Sequence, residues 1–471
     1  MLDRRFRIQR THARGGVDLI SAAQADSPGR PFRLEALSVN DPLKAEEARL
    51  IAPGLQSIAQ WAPFSIERGD GSYLVDTQGN RYVDLFSGVG VAILGHSHPR
   101  YRERVADQLG RVTVGSFTTA ARVEALARLA EFVPIELDCI QLYTSGAEAV
   151  EAALRLARAA TGRHEVLSFW GGFHGKTQGA LAATFSHSRR DWGPLPGGHW
   201  SAPYAHCFRC AFEREFPSCG LFCARFVQTA AEAQTIDGLA AILVEPIQGT
   251  AGNISPAPGF LRELRRLADH TGALLIIDEM IAGPARTGRR WGHEHDEIVP
   301  DIIVAGKGLA NGLPVSAIIT RADLAAHEPF GRPSGSSSSF GGNPLCAAGI
   351  AATLEIIADD RLVSRAAELG ALALQQITEW KGSIPIMGEV HGKGLMLGIE
   401  LVRPGATREP LPAIWCRRIF DSALEAGVLL MITGSNIRLY PALNIPMEML
   451  LDAVDRIGRV LSDVGAQFDA P

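Results

Sequence analysis

The sequence predicts an α/β protein in which a mostly parallel sheet of about seven strands lies between helices, with a smaller α+β part built from the two ends of the chain. Three observations predict it. Short apolar runs such as Leu239–Val244 and Leu274–Ile277 are continuous rather than alternating, as strands covered on both faces are. Segments with helical spacing, such as Phe260–Ala268, fall between them. The runs end in Gly, Asp, Glu or Lys, so polar chemistry collects just past the strand ends, where ligands gather in such sheets.

Composition bounds the partners. The chain has 471 residues and a net charge of −5, with both signs interspersed, so no basic field for nucleic acid is present. No run approaches the ~20 apolar residues of a membrane span. The start is rich in arginine (Arg4, Arg5, Arg7, Arg10, Arg14) but no apolar stretch follows, so a cytoplasmic location is expected.

Taken in order, residues 1–40 lack periodicity and read as an irregular arm. The alternation in SYLVDTQGNRYVDLF, with Gly79-Asn80 at the turn, predicts a hairpin that leads into Ser87–Gly90. A strand over Cys139–Tyr143 then meets Thr144-Ser145-Gly146-Ala147 and a helix with Val150, Leu154 and Ala157 on one face. The free N–H groups of Gly146 and Ala147 at that helix start suit a dianionic phosphate.

The next strand, Glu165–Phe169, feeds Gly171-Gly172-Phe173-His174-Gly175. Four cysteines follow at Cys207, Cys210, Cys219 and Cys223, spaced C-x2-C-x8-C-x3-C, a pattern open to Zn²⁺, to an iron–sulfur cluster or to no metal at all. Leu239–Val244 ends in Glu245, Leu274–Ile277 in Asp278 and Glu279, and Asp301–Ala305 in Gly306-Lys307-Gly308. Past a serine-rich stretch, a helix is expected over Leu345–Ile357. A strand follows within residues 392–401, with Leu395, Leu397, Ile399 and Leu401 on one face, and a last helix carries Leu450, Val454, Ile457 and Leu461.

Lys307 and Asp278 carry the chemistry. Lysine is rare, occurring only at Lys44, Lys176, Lys307, Lys381 and Lys393, and one set between two glycines is not routine surface charge. An amine and a carboxylate at adjacent strand ends match pyridoxal 5'-phosphate (PLP), which takes a lysine as its Schiff-base partner and a carboxylate against its pyridine nitrogen.

The stretch from Leu274 to Thr320, with Asp278-Glu279, Arg286-Thr287-Gly288 and Pro300-Asp301-Ile302 ahead of Lys307-Gly308, resembles the class III, fold-type I PLP-dependent aminotransferases. The resemblance implies a division into an arm (1–40), an N-terminal segment of a small domain (41–95), a large PLP-binding domain (96–348) and a C-terminal small domain (349–471). It implies that Lys307 and Asp278 are catalytic and that Ser145, Gly146 and Ala147 hold the phosphate. Phe173, followed by His174, would stack on the ring, while Glu245, Met280 and Ile281 would surround the cofactor. Val89 would edge the substrate site and Arg438 would receive a substrate carboxylate. Ser339 would reach the phosphate of the neighbouring subunit in a homodimer with shared active sites.

Three positions depart from the family pattern. Ile281 stands where the family has a glutamine, Thr250 where glutamate-using relatives have a gating glutamate, and Pro284-Ala285 interrupt a GFGRTG-like loop. The expected function is therefore transfer of an amino group between a small-molecule donor and a carbonyl acceptor. The missing gate points to an amine or amino-sugar substrate in the biosynthesis of a secondary metabolite such as an aminoglycoside. The alternative is another PLP reaction, namely elimination, epimerisation or decarboxylation.

Overall fold

The computed structural model describes residues 41–468 apart from 53, 55, 406 and 407, so the expected arm over 1–40 lies outside the described residues. The central sheet has seven strands in the order Cys139–Tyr143, Ser316–Thr320, Ile302–Gly306, Leu274–Asp278, Leu239–Val244, Glu165–Phe169, His199–Ala202. All run parallel except Ser316–Thr320, which is antiparallel to both neighbours. The sheet is the mostly parallel one that the sequence predicts. Two of its strands escape the sequence reading: His199–Ala202 is a short edge strand, and Ser316–Thr320 follows the lysine strand too closely for a crossover helix to mark it.

Burial explains the continuous apolar runs. Leu275 and Ile277 belong to one core cluster with Phe260, Leu264 and Val244, whereas Ile276 belongs to a second with Val150, Leu154 and Val304. One strand thus feeds both faces, and truncating Ile276 or Ile277 to alanine costs roughly 2–5 kcal/mol. The helix Gly146–Thr161 covers one face; it is capped by Ser145 and stopped by Gly162 at φ 69. The helix Phe260–Thr271 covers the other, burying Phe260, Leu261, Leu264, Leu267 and Ala268.

The expected hairpin is present. Tyr73–Asp76 pairs antiparallel with Arg81–Asp84, and Asp76 Oδ1 accepts the N–H of Gln78 and of Asn80 to fix the turn. Val428–Leu429 joins this sheet in parallel next to Arg81–Asp84, so the C-terminal segment contributes to it.

The C-terminal sheet corrects one expectation. Residues 392–401 are not a single alternating strand, because Gly392 and Lys393 end one strand, Met387–Lys393, and Met396–Leu401 returns antiparallel to it. Every residue of Met396–Leu401 is buried. The alternation is overridden because this strand is covered on both sides: helix Leu362–Glu379 packs against it, and Asn253 Nδ2 donates to Leu397 O from the loop after Glu245. The last helix, Met447–Phe468, buries Leu450, Val454, Ile457 and Leu461 as expected.

The chain up to Phe64 is a separate unit; in it, helix Pro42–Leu50 starts at Asp41, whose carboxylate accepts from Leu43 and Lys44 N–H. No described helix is long and apolar enough to cross a membrane.

Candidate active site

The parallel strands deliver their chemistry to one edge. Asp278 closes its strand and Lys307 follows the adjacent one, with Asp278 in register with Val304. Glu245 follows the next strand, Phe173 and His174 follow Glu165–Phe169, and Gly146 and Ala147 follow Cys139–Tyr143. All of these line a single cavity of about 380 Å³, which also takes in Met280, Ile281 and Thr250.

Asp278 is buried and fully oriented. Its Oδ2 accepts from His174 Nδ1 at 2.8 Å and its Oδ1 from Met280 N at 3.0 Å. His174 is itself pinned, its N–H donating to Thr184 Oγ1 at 2.9 Å. Glu245 lies alongside, with Oε1 accepting from Phe173 N and Oε2 from Gly249 N, both at 2.9 Å. Burial pushes the Glu245 carboxyl up; nearby His174 opposes the rise and Asp278 adds to it.

Lys307 has φ 44, a left-handed conformation that is strained for a residue with a Cβ. Its side chain lines the cavity. The amine has no hydrogen-bond partner among the described residues. Desolvation in the pocket lowers its pKa, Asp278 and Glu245 oppose that, and Arg438 adds to it. The net effect favours the neutral, nucleophilic amine at lower pH than for a solvated lysine.

The phosphate cradle is built from backbone. Ser145 Oγ accepts from Glu148 N at 3.2 Å, so this hydroxyl is used as a helix cap, and Ser145 itself is exposed. Gly146 and Ala147 line the cavity at the positive end of a 16-residue helix. A Cβ on Gly146 would come within 3.1 Å of Met280 Sδ, so glycine keeps this backbone open to a ligand. Thr144, which the sequence reading passed over, also lines the cavity.

On the substrate side, Arg438 is 4% exposed. Its Nη1 donates to Gly249 O at 3.3 Å, its Nε has no partner, and no carboxylate bonds to it among the described residues. Val89 sits in a run of four left-handed residues, Ser87–Gly90, and packs on Ile281, Met396 and Tyr440. Val91, two positions on, is the residue that lines the cavity. Ser339 is exposed and does not line the cavity of its own chain.

The opposite wall, Gly312–Val315, was also missed. Its one signal in the sequence is a Gly-Leu-Pro turn placed directly between the lysine strand and Ser316–Thr320. An amine of lowered pKa, a fixed carboxylate, an aromatic wall and a helix N-terminus are together the donor set that PLP requires. The four clustered cysteines lie elsewhere, and all are free thiols.

Comparison with known proteins agrees. The model of the family described as "Aminotransferase class-III" matches residues 57–461. The chain is 32% identical over 411 residues to the leucine/methionine racemase of Thermococcus litoralis, covering 86% of this chain and 92% of that protein. It is 38% identical over 342 residues to the acetylornithine aminotransferase of Methanopyrus kandleri, covering 72% and 81%. Among solved structures, an amine transaminase from an uncultivated Pseudomonas species in its PLP-bound form superposes with a TM-score of 0.82 at 27% identity, over 88% of this chain and 98% of that one.

Proposed function

Because this chain belongs to the class III aminotransferases and so depends on PLP, we propose that it transfers an amino group between two substrates that each present a carboxylate to Arg438. The observation that carries the reading is the buried, acid-free guanidinium of Arg438, close enough to Lys307 to influence its charge. A buried cation without a counter-ion is costly, and a bidentate substrate carboxylate relieves that cost.

PLP, when bound, supplies a carbonyl that takes up the amino group and a ring that accepts an electron pair. The chain's own groups do the rest. Lys307 would serve as the nucleophile and carry the proton, Asp278 would face the ring nitrogen, and His174 holds Asp278 in place. Phe173 and the apolar groups of Val91, Ile281 and Leu313 exclude water.

The amine or amino-sugar substrate expected from Thr250 needs another group to neutralise Arg438. Ile281 and Thr250 bring none, so carboxylate substrates are the better-supported class. Rapid mixing of the loaded enzyme with L-glutamate, a simple primary amine and a 6-amino sugar tests this. Conversion confined to glutamate supports it, and conversion by the amines alone overturns it.

A second reading has a specific observation behind it. The likeness to a leucine/methionine racemase spans 86% of the chain, and racemisation uses the same lysine without any oxo acid. Inversion of an α-amino acid with no acceptor present would select this reading over transamination.

The homodimer is part of the proposal. Val112, Val114 and Phe117 are exposed in the stretch before helix Ala120–Phe132, and Phe340 is 72% exposed beside Ser339. A Cβ on Gly115 would lie 3.2 Å from Asn343 Cα, so the two segments adjoin, and a second copy would bury this apolar face.

A further inference from the structure

A second cavity, of about 1180 Å³, shares no lining residue with the active site. Its floor is a meeting of three backbones. Gly370 of helix Leu362–Glu379 lies against Gly394, in the turn before Met396–Leu401, and Gly394 lies against Arg286 and Thr287. A Cβ at either glycine would collide with main chain, so only glycine allows this approach.

The lining is strongly basic. Arg128, Arg289, Arg290, Arg361 and Lys393 face the space against two carboxylates, Glu131 and Glu294, in a chain whose net charge is −5. Arg128 is 3.7 Å from Glu355, and Arg290 donates to Glu131 O at 3.1 Å and lies over the Phe132 ring. Arg289, Arg361 and Lys393 have no carboxylate partner and no side-chain hydrogen bond among the described residues. His295 registers their field: burial first, then Lys393 and Arg289, push its pKa down to about 4, and its neutral ring donates from Nε2 to Thr287 O at 3.1 Å. Thr287 also lines the cavity; it is 2% exposed, and its Oγ1 has no hydrogen-bond partner.

The rest of the wall is apolar and low. Val363, Ala367, Ala371 and Leu374 recur at helical spacing along one face of Leu362–Glu379, each of them partly or fully exposed to the cavity side. The first turn of that 18-residue helix opens on the same space through Val363 and Ser364, and no side chain caps its N–H groups.

We propose that this cavity binds an organic polyphosphate of the class of a nucleoside diphosphate. Three unpaired cations match the roughly three negative charges of a diphosphate. The guanidinium fork suits phosphate oxygens, and the uncapped helix start adds N–H donors at the positive end of its dipole. The Val363–Leu374 face gives the nucleoside an apolar bed beside those charges, which a free phosphate would leave uncovered.

The test is isothermal titration calorimetry of the full-length, PLP-loaded protein with ADP, pyrophosphate and adenosine, the bound PLP keeping these probes out of the cofactor site. One ADP per chain is expected, with pyrophosphate at least about tenfold weaker and adenosine silent at about 1 mM. Arg361→Glu and Lys393→Glu should each weaken ADP at least about tenfold, the loss of a charge-assisted hydrogen bond, whereas Lys381→Glu, outside the cavity, should leave it unchanged. Cofactor absorbance and the denaturation midpoint check that the variants are folded. No binding of ADP at about 1 mM, adenosine or pyrophosphate binding as tightly as ADP, or ADP affinity that survives both Arg361→Glu and Lys393→Glu would each overturn the proposal.

Discussion

His174 Nδ1 donates to Asp278 Oδ2 at 2.8 Å, and both side chains are almost wholly buried beneath the edge where the parallel strands end. The histidine holds the carboxylate rather than touching a reacting atom. His174→Asn should lower kcat about tenfold, and Asp278→Asn should lower it by at least about 100-fold, since it removes the charge itself. Steady-state kcat measured alongside cofactor content checks this. Equal losses in the two variants would contradict a positioning role for His174.

Lys307→Ala should abolish both turnover and borohydride-trapped attachment of PLP to the protein. In the unmutated apoprotein the attachment rate should rise with pH, because only the neutral amine attacks. Desolvation lowers the pKa of Lys307, so the midpoint should fall below the ordinary lysine value of about 10.4. A midpoint at that ordinary value would show that the pocket does not desolvate the amine.

Arg438→Ala should raise KM for carboxylate substrates roughly 10- to 100-fold, the loss of a charge-assisted hydrogen bond, with a smaller change in kcat. Thr250→Glu, which faces the same cavity, should raise KM for glutamate by supplying the acid that Arg438 lacks. Initial-rate kinetics on both variants decide the point. An unchanged KM in Arg438→Ala would remove the basis for a carboxylate substrate.

Ser145→Ala deletes the cap whose Oγ accepts from Glu148 N, and should cost about 1 kcal/mol of stability. Because the hydroxyl is used as a cap and lies off the cavity, PLP affinity should fall only slightly, by contrast with a bulky replacement of Gly146. Chemical denaturation and cofactor titration separate the two effects.

Phe117→Asp places a charge on the exposed apolar face and should convert a dimer to monomers with weakened PLP retention, since Ser339 borders that face. Sedimentation velocity with absorbance at the cofactor band reads both. A monomeric wild-type protein with full activity would rule out the shared-site dimer.

Much of the molecule is legible from residues alone. The runs at Cys139, Glu165, Leu239 and Leu274 have the observed boundaries to within a residue; for Leu239 and Leu274 the reason is that strands buried on both faces leave an unbroken apolar signature bounded by polar turns. The edge strand His199–Ala202 carries no such signature, since one side of it has no neighbour. Met396–Leu401 misled for the opposite reason: its pattern alternates, yet both of its faces are covered.

The sequence by itself determined the kind of chemistry, because a lysine and an aspartate closing two adjacent apolar runs can only meet at one edge of a parallel sheet. Tertiary structure alone decided which neighbours tune that chemistry. His174 reaches Asp278 across 104 positions, Gly249 meets Arg438 across 189, and Val91 rather than Val89 lines the cavity. Such pairings depend on how loops from different strands pack over the sheet edge, and the spacing of residues along one chain holds no record of that packing.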